Sequence, residues 1–438
     1  MNSEGNPTAR PAKSYRAGMP SLVARKDPKV LVMVLAGGEG KRLYPLTADR
    51  AKPAVPFAGS YRLVDFVLSN FANAGMLKMV VLTQYKSHSL DRHISATWRV
   101  SEFLGNYVTP VPAQMRRGPR WFVGSADAIY QNFNLISDEK PDIVCVFGAD
   151  HIYRMDPRQM IEHHMAVGGG ITVAGIPVTV AEARDFGVME VEGTKIKAFH
   201  EKSETPPLMP KASPTDPDRC LASMGNYVFD TEVLLQSISE DADDESSAHD
   251  LGGNIIPNLT KAGVANFYDF DTNEIPGQTE HGRGYWRDVG TLDAYYETTM
   301  DLTTPNPLFD LYNRRWPVFT SQSSLPPAKL VQGHSWAPGS AVSSLLCEGV
   351  IVSGGHVERS VLSPGAYVDD HAVVSDSILL HDVRIGPGAI VRRAIIDKNV
   401  VVPAGMQIGV DIETDRARGL TISDNGVIVV SKGHNLEP

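Results

Sequence analysis

The 438-residue chain is predicted to fold as two units of different class, an α/β domain of the doubly wound, Rossmann-like kind followed by a parallel β-helix. Three observations predict this. Val30 to Leu35 is an unbroken apolar run of strand length that ends at Gly37, Gly38 and Gly40, the pattern of a buried parallel strand entering a glycine-rich turn. Met79 to Thr83 and Ile143 to Phe147 repeat the pattern of a strand leading into a polar loop. Beyond residue 335 the rhythm changes: Val361, Tyr367, Val373, Leu379, Ile385 and Val391 fall six apart, and after a one-residue slip Ile396, Val402 and Ile408 continue the count. A six-residue apolar period makes each hexad one side of a triangular coil.

These signals divide the chain into a flexible N-terminal arm (1–28), the α/β domain (29–300), a proline-rich linker (301–335) and the coil with a C-terminal tail (336–438). The arm is polar and mildly basic, with no apolar segment of secretory-signal length, and it is expected near a regulatory surface. With 42% hydrophobic and 21% charged residues the composition is that of a soluble globular protein, and no stretch reads as a membrane span. A net charge of -10 argues against a nucleic-acid partner, since phosphate-backbone affinity needs clustered Lys and Arg in excess. Cys145, Cys220 and Cys347 are far apart and odd in number, as suits packing residues in a reducing cytoplasm.

The first glycine turn is built to hold phosphate. Without Cβ atoms its backbone can approach an anion closely, and Lys41, Arg42, Arg50 and Lys52 bring positive charge within reach. It is not a P-loop, because Arg42 follows Lys41 where Ser or Thr is needed and Leu35 holds the earlier glycine position. It is not a dinucleotide fingerprint, because Leu43 stands at the third glycine position. A plain turn would leave the four clustered basic residues unexplained.

Farther along, Leu63 to Asn73 has helical spacing of apolar residues, and Gln84, after the second strand, faces the expected ligand edge of the sheet. Arg116, Arg117, Arg120 and Trp121 precede Phe122 and the small-residue turn Gly124-Ser125-Ala126-Asp127-Ala128, which opens a helix and permits flat approach of a ring. Asp150, at the exit of Ile143 to Phe147, is placed to hold a divalent cation; helix capping is its ordinary alternative. Ile171 to Val178 is a further strand, residues 204 to 219 a polar loop, and residues 239 to 250 a solvated acidic run ending at Asp250.

Leu35-Ala36-Gly37-Gly38-Glu39-Gly40-Lys41-Arg42-Leu43, followed by Arg50-Ala51-Lys52-Pro53-Ala54, resembles the signature of sugar-nucleotide pyrophosphorylases. The order of later motifs narrows the resemblance to bacterial glucose-1-phosphate adenylyltransferases, from about residue 29 to the end. It implies a nucleotidyltransferase domain followed by a left-handed parallel β-helix, and formation of ADP-glucose and pyrophosphate from ATP and α-D-glucose 1-phosphate for glycogen synthesis. An oxygen of the sugar phosphate would attack the α-phosphorus in line, with no covalent enzyme intermediate. The implied nucleotide contacts are Leu35, Ala36, Gly37, Gly38, Gln84 and Gly124, with Arg42 and Lys52 on the β- and γ-phosphates. The implied substrate contacts are Phe122, Gly187, Glu201, Lys202, Ser223 and Asp250, with Lys202 anchoring the sugar phosphate. Asp150 and Asp288, the latter in Tyr285-Trp286-Arg287-Asp288-Val289-Gly290, would share Mg²⁺.

Three departures stand out against the family pattern. Phe122 replaces a common Tyr, which keeps ring stacking and removes a hydroxyl. Ser203 replaces the proline of the Glu-Lys-Pro motif. Asp49 stands where many members have a second basic residue before Arg50. The resemblance further implies a homotetramer and allosteric control by anionic metabolites, for which Arg50, Arg62, Arg393 and Arg418 are expected to gather where the two domains meet. The coil by itself also suits an acyltransferase, for which His356, His371 and His381 are available, but nothing else supports that reading. A regulatory subunit without catalysis would show erosion of charged positions, yet Arg42, Lys52, Asp150, Lys202 and Asp288 are all present.

Overall fold

A computed structural model describes residues 27–114, 121–211 and 216–437. The expected N-terminal arm lies almost wholly outside the described residues, as do Arg116, Arg117 and Arg120.

Val30–Ala36 is the strand around which the first domain is built. It pairs in parallel with Lys78–Thr83 on one side and Ile143–Gly148 on the other, and Lys78–Thr83 pairs in parallel with Tyr107–Pro112. Val32, Val34 and Ala36 enter one hydrophobic core and Leu31 and Met33 the other. Burial on both faces is why the run is apolar without alternation. Beyond Ile143–Gly148 the sheet becomes mixed: Arg219–Asp230 runs antiparallel to it and to Ile171–Thr179, followed outward by Ala265–Asp269 and the hairpin strands Lys195–Glu201 and Gly187–Glu192. Only the four strands around Val30–Ala36 are uniformly parallel, and their carboxyl ends form one edge of the domain. On that edge a short antiparallel ribbon joins His151–Tyr153 to Trp286–Asp288, bringing together segments far apart in sequence.

The stretch expected as a linker is strapped to the first domain. Phe309 and Trp316 are buried, the Phe319 amide donates to Ser69 Oγ at 2.8 Å, and Thr320 Oγ1 donates to Asp65 Oδ2 at 2.8 Å. Asp65 also accepts from Trp98 Nε1 at 3.0 Å and lies 2.7 Å from His93 Nε2, so one buried carboxylate ties the strap to two helices.

The C-terminal domain is three parallel sheets wound into one coil, as a left-handed β-helix of hexapeptide repeats requires. Its register pairs Val361 with Ile378, Tyr367 with Arg384 and Val373 with Ile390, so a full turn here takes seventeen residues, one more than in the turn before, where Leu345 pairs with Val361 and Ile351 with Tyr367. Two sides are therefore six residues and one is five. This corrects the first part of the sequence count. Leu362, Val368 and Val374 fill the axis, whereas Tyr367 and Val373 point outward and Val361 lies outside the axial cluster. From Leu379 onward the expected positions Leu379, Ile385, Val391, Ile396, Val402 and Ile408 are the axial ones. The unbroken spacing from Val373 to Leu379 concealed a five-residue side.

The two domains share a core. Leu43, Phe57, Phe66 and Tyr295 pack with Ile378, Leu380, Ile395 and Val429 of the coil, and Tyr296 Oη donates to the Asp376 carbonyl at 2.6 Å. Apolar burial of this kind holds the domains in fixed relation.

Candidate active site

The glycine turn leaves its strand beside the carboxyl end of Ile143–Gly148, with Leu35 opposite Gly148. Gly40 adopts φ +66°, and a Cβ there would stand 3.0 Å from Lys52 Cβ and 3.1 Å from Thr47 Cγ2, so glycine fits both the turn and the close approach. Lys52, 8% exposed, follows in a short 3-10 turn. Its Nζ donates to Asp150 Oδ2 at 2.9 Å and to Asp288 Oδ1 at 3.0 Å. The ribbon supplies the geometry, since Asp288 pairs with His151, the neighbour of Asp150.

Burial alone would raise the Asp150 carboxyl, but the Lys52 ammonium and His151 beside it hold it far below the usual carboxylate range. Burial likewise works to lower Lys52, and the two carboxylates override it, so the ammonium is held above its ordinary value. A cation is thus already clamped between two acidic side chains. His151 Nε2 lies 3.5 Å from Asp150 Oδ1, and ligand atoms of Asp150, His151 and Asp288 all fall within 4.8 Å of one another. Among the described residues, buried His151 Nδ1 has no hydrogen-bond partner. Two hard carboxylate oxygens with an imidazole alongside fit a small divalent cation, with Asp150 and Asp288 the ligands Mg²⁺ favours.

A second group of side chains converges around Asp250 and Glu201. Asp250 accepts from the Gly253 amide at 2.8 Å through Oδ1 and from Ser125 Oγ at 2.8 Å through Oδ2. Ser125 Oγ in turn accepts from the Leu251 amide at 2.7 Å, so the small-residue turn and Asp250 are one unit. Gly124 is required there: a Cβ would stand 2.2 Å from the His249 carbonyl oxygen, which accepts the Ala126 amide at 2.8 Å. Glu201 lies against Gly187 and Gly252, where added Cβ atoms would meet its Oε2 at 2.8 and 2.7 Å. Burial, with Asp250 adding, pushes the Glu201 carboxyl up against the opposing pull of Lys202. Lys202 is exposed at φ +46°, its Nζ 3.7 Å from Glu201 Oε1. Ser223 is buried and accepts from the Gly225 amide at 3.3 Å.

Other expected residues lie differently. Gln84 clasps the backbone of Phe122, accepting from its amide at 2.9 Å and donating to its carbonyl at 3.2 Å, so its amide fixes the segment before the Gly124 turn. Arg42 is on the rim, its Nη1 2.9 Å from Asp185 Oδ1, with Nη2 close to Gly290 beside Asp288. Of the four arginines expected at the domain junction, Arg50 and Arg62 lie near each other, and each of the four has its own partner. Arg50, 5% exposed, forms a bidentate pair with Asp397 of the coil at 3.0 Å. Arg62 Nη1 donates to the Ala54 carbonyl. Arg393 lies 5.4 Å over the Tyr296 ring, and Arg418 donates to the Gln407 carbonyl at 2.7 Å. Two further basic side chains, His381 and Lys398, lie near Arg50 and Arg62. Burial, reinforced by neighbouring cations, pushes Lys398 down to about 7 and His381 down to about 3. Asp49, the departure beside Arg50, lies 3.3 Å from Lys432 Nζ.

Sequence reasoning passed over His151, Ser125, Asp185 and Lys398. His151 and Ser125 sit inside motifs already singled out, so adjacency was their signal. Asp185 and Lys398 owe their importance to residues more than a hundred positions away, which no local pattern carries.

A phosphate-cradling turn, a lysine between paired acids and a hexapeptide coil together define the class as a nucleotidyl transferase with a β-helix appended. Residues 31–305 match the nucleotidyl transferase family and residues 326–430 the family described as GlmU-like, C-terminal hexapeptide. The chain is 59% identical over 409 residues to a glucose-1-phosphate adenylyltransferase of Frankia casuarinae, spanning 93% of this chain and 98% of that one. It is 57% identical to the protein of that name from a Parafrankia species (93% and 98% covered) and 56% identical to that of Corynebacterium jeikeium (92% and 98%). The chain belongs to the glucose-1-phosphate adenylyltransferase family.

Proposed function

We infer that the protein transfers AMP from ATP to α-D-glucose 1-phosphate, giving ADP-glucose and pyrophosphate. The observation that carries the mechanism is Lys52 held at 2.9 and 3.0 Å between Asp150 and Asp288, beside the glycine turn. Both substrates are anions, so the protein's tasks are neutralising charge and aligning the attacking oxygen with the α-phosphorus. Lys52 and Arg42 bind the β- and γ-phosphates over the backbone of Gly37 and Gly38. Gln84 and Gly124 shape the nucleotide's bed, with Leu35 and Ala36 at the strand end and Phe122 offering a ring face. Glu201 and Asp250 accept from glucose hydroxyls, Ser223 and Gly187 line that pocket, and Lys202 anchors the attacking phosphate. Asp150 and Asp288 hold Mg²⁺, which when bound supplies Lewis-acid charge for the phosphate oxygens.

The reaction suits the committed step of glycogen synthesis in the cytoplasm, carried out by a homotetramer under control of anionic metabolites. For the effector site we favour Arg62 and Lys398, with neutral His381 beside them, because Arg50 is engaged by Asp397, Arg393 by the Tyr296 ring and Arg418 by the Gln407 carbonyl.

The deciding experiment is pyrophosphate release from purified protein with Mg²⁺ and glucose 1-phosphate, comparing ATP, UTP, dTTP and GTP with and without sugar-phosphate effectors. A strong preference for ATP is expected. Preference for another nucleotide would overturn the substrate while leaving the mechanism, and no release under any condition would favour a regulatory subunit.

A further inference from the structure

A separate cavity of about 260 Å³ lies between the far end of the two-stranded ribbon and the strap at residues 302–313. Arg154, the residue after His151–Tyr153, lines it and is only 6% exposed. Its Nε donates to the Trp316 carbonyl at 3.0 Å, and its guanidinium lies 4.4 Å over the Phe309 ring. Among the described residues neither Nη nitrogen has a hydrogen-bond partner, and Nη2 is fully buried. A buried guanidinium with one N–H satisfied and its Nη groups left over is costly and calls for an anion. Burial pulls Arg154 down to about 10, partly opposed by Asp310. Asp310 lines the same cavity without an ion pair to Arg154, and its Oδ1 already accepts from the Tyr312 amide at 2.8 Å. The remaining carboxylate oxygen can accept from a hydroxyl. Thr279 and Asn306 add polar groups to the lining, and none of the proposed catalytic residues lines it.

We propose that this cavity binds a small hydroxylated anion, a carboxylate or a phosphate, seated on the Arg154 guanidinium with its hydroxyl on Asp310. The volume suits a molecule of a few carbons and excludes a nucleotide. Arg154 and Tyr285, which both line the cavity, flank the ribbon at the end opposite Asp150 and Asp288. The bound anion clasps the two strands together there.

Equilibrium dialysis of the full chain with radiolabelled lactate, glycerol 3-phosphate and propionate tests this and separates carboxylate from phosphate. Lactate or glycerol 3-phosphate is expected to fill one more site per chain in the wild type than in Arg154→Met, or to bind that variant about 30-fold more weakly, with basal turnover retained. Equal stoichiometry and affinity in the two proteins would overturn the proposal. Should Arg154→Met fail to fold, Asp310→Asn serves, because Asp310 is exposed. That variant should lose the preference for lactate over propionate, and an unchanged preference would overturn the proposal equally.

Discussion

Lys52 shows how one side chain can both stabilise a site and prepare it. Its ammonium offsets the repulsion between two carboxylates on facing strands, and on the function proposed above the same charge would meet the polyphosphate. Asp150→Asn is predicted to leave the fold intact, because Asp288 still pairs with Lys52, and to cut turnover on the order of 100-fold or more; wild-type rates in a folded variant would refute the assignment. The pH profile follows from the two shifts. Asp150 is depressed, so its contribution to stability is present above the ordinary carboxylate value of about 4 and is lost as pH falls through its lower folded value. Lys52 is raised, so its contribution is present below about 10.4 and is lost as pH rises through its higher folded value. The difference in urea midpoint between wild type and Asp150→Asn should therefore be flat from about pH 5 to 9 and shrink in stronger acid.

At the scale of elements, the opening strand and the coil were legible for different reasons. Val30–Ala36 is buried on both faces, so burial leaves an unbroken apolar run that reads directly from the chain. The coil announces its period, but a seventeen-residue turn divided six, six and five shifts the inward position by one residue each turn. A count of constant six therefore drifts from the axis to the outer face. The assignment can be checked by paired substitutions. Val374→Ala removes axial packing and should cost about 2 kcal/mol, whereas Val373→Ala, half-exposed on the outer face, should cost less than about 1 kcal/mol. Equal losses in chemical unfolding would contradict the register. The ribbon of His151–Tyr153 and Trp286–Asp288 was not legible, because three-residue strands carry no periodicity and their pairing spans more than a hundred residues.

For the whole molecule, the contact between domains decides what the basic residues do. Arg50 and Asp397, 6% and 1% exposed at their side chains, lock the glycine-turn domain to the coil. Arg50→Ala leaves a buried carboxylate unpaired and should cost about 3–5 kcal/mol, while the double change Arg50→Ala, Asp397→Ala should cost less than the sum of the singles. Additive losses in a double-mutant cycle would show that the pair is not coupled. The same change is consequently a poor probe of effector binding, and Lys398→Gln is the better one. Because Lys398 is pushed down to about 7, the unfolded chain holds a proton there that the folded chain lacks between about pH 7 and 10.4, so stability rises with pH across that window. An anion bound beside Lys398 reverses this by favouring its charged form. Calorimetric titration of a sugar phosphate at pH 8, in buffers of different ionisation enthalpy, should report proton uptake in the wild type and none in Lys398→Gln; identical proton uptake would move the effector site elsewhere.

The chain by itself determined the two-part architecture, the glycine turn with its basic residues and the acids at strand ends, because each is written in a local pattern of apolar spacing, glycine and charge. The tertiary structure alone decided that Lys52 bridges Asp150 and Asp288, that Gln84 holds the backbone of Phe122, and that Arg50 faces Asp397. It also left Nη2 of Arg154 buried with no hydrogen-bond partner among the described residues, beside a cavity that Arg154 lines. These are properties of distance and desolvation between residues remote in sequence, and neither quantity exists until the chain has folded.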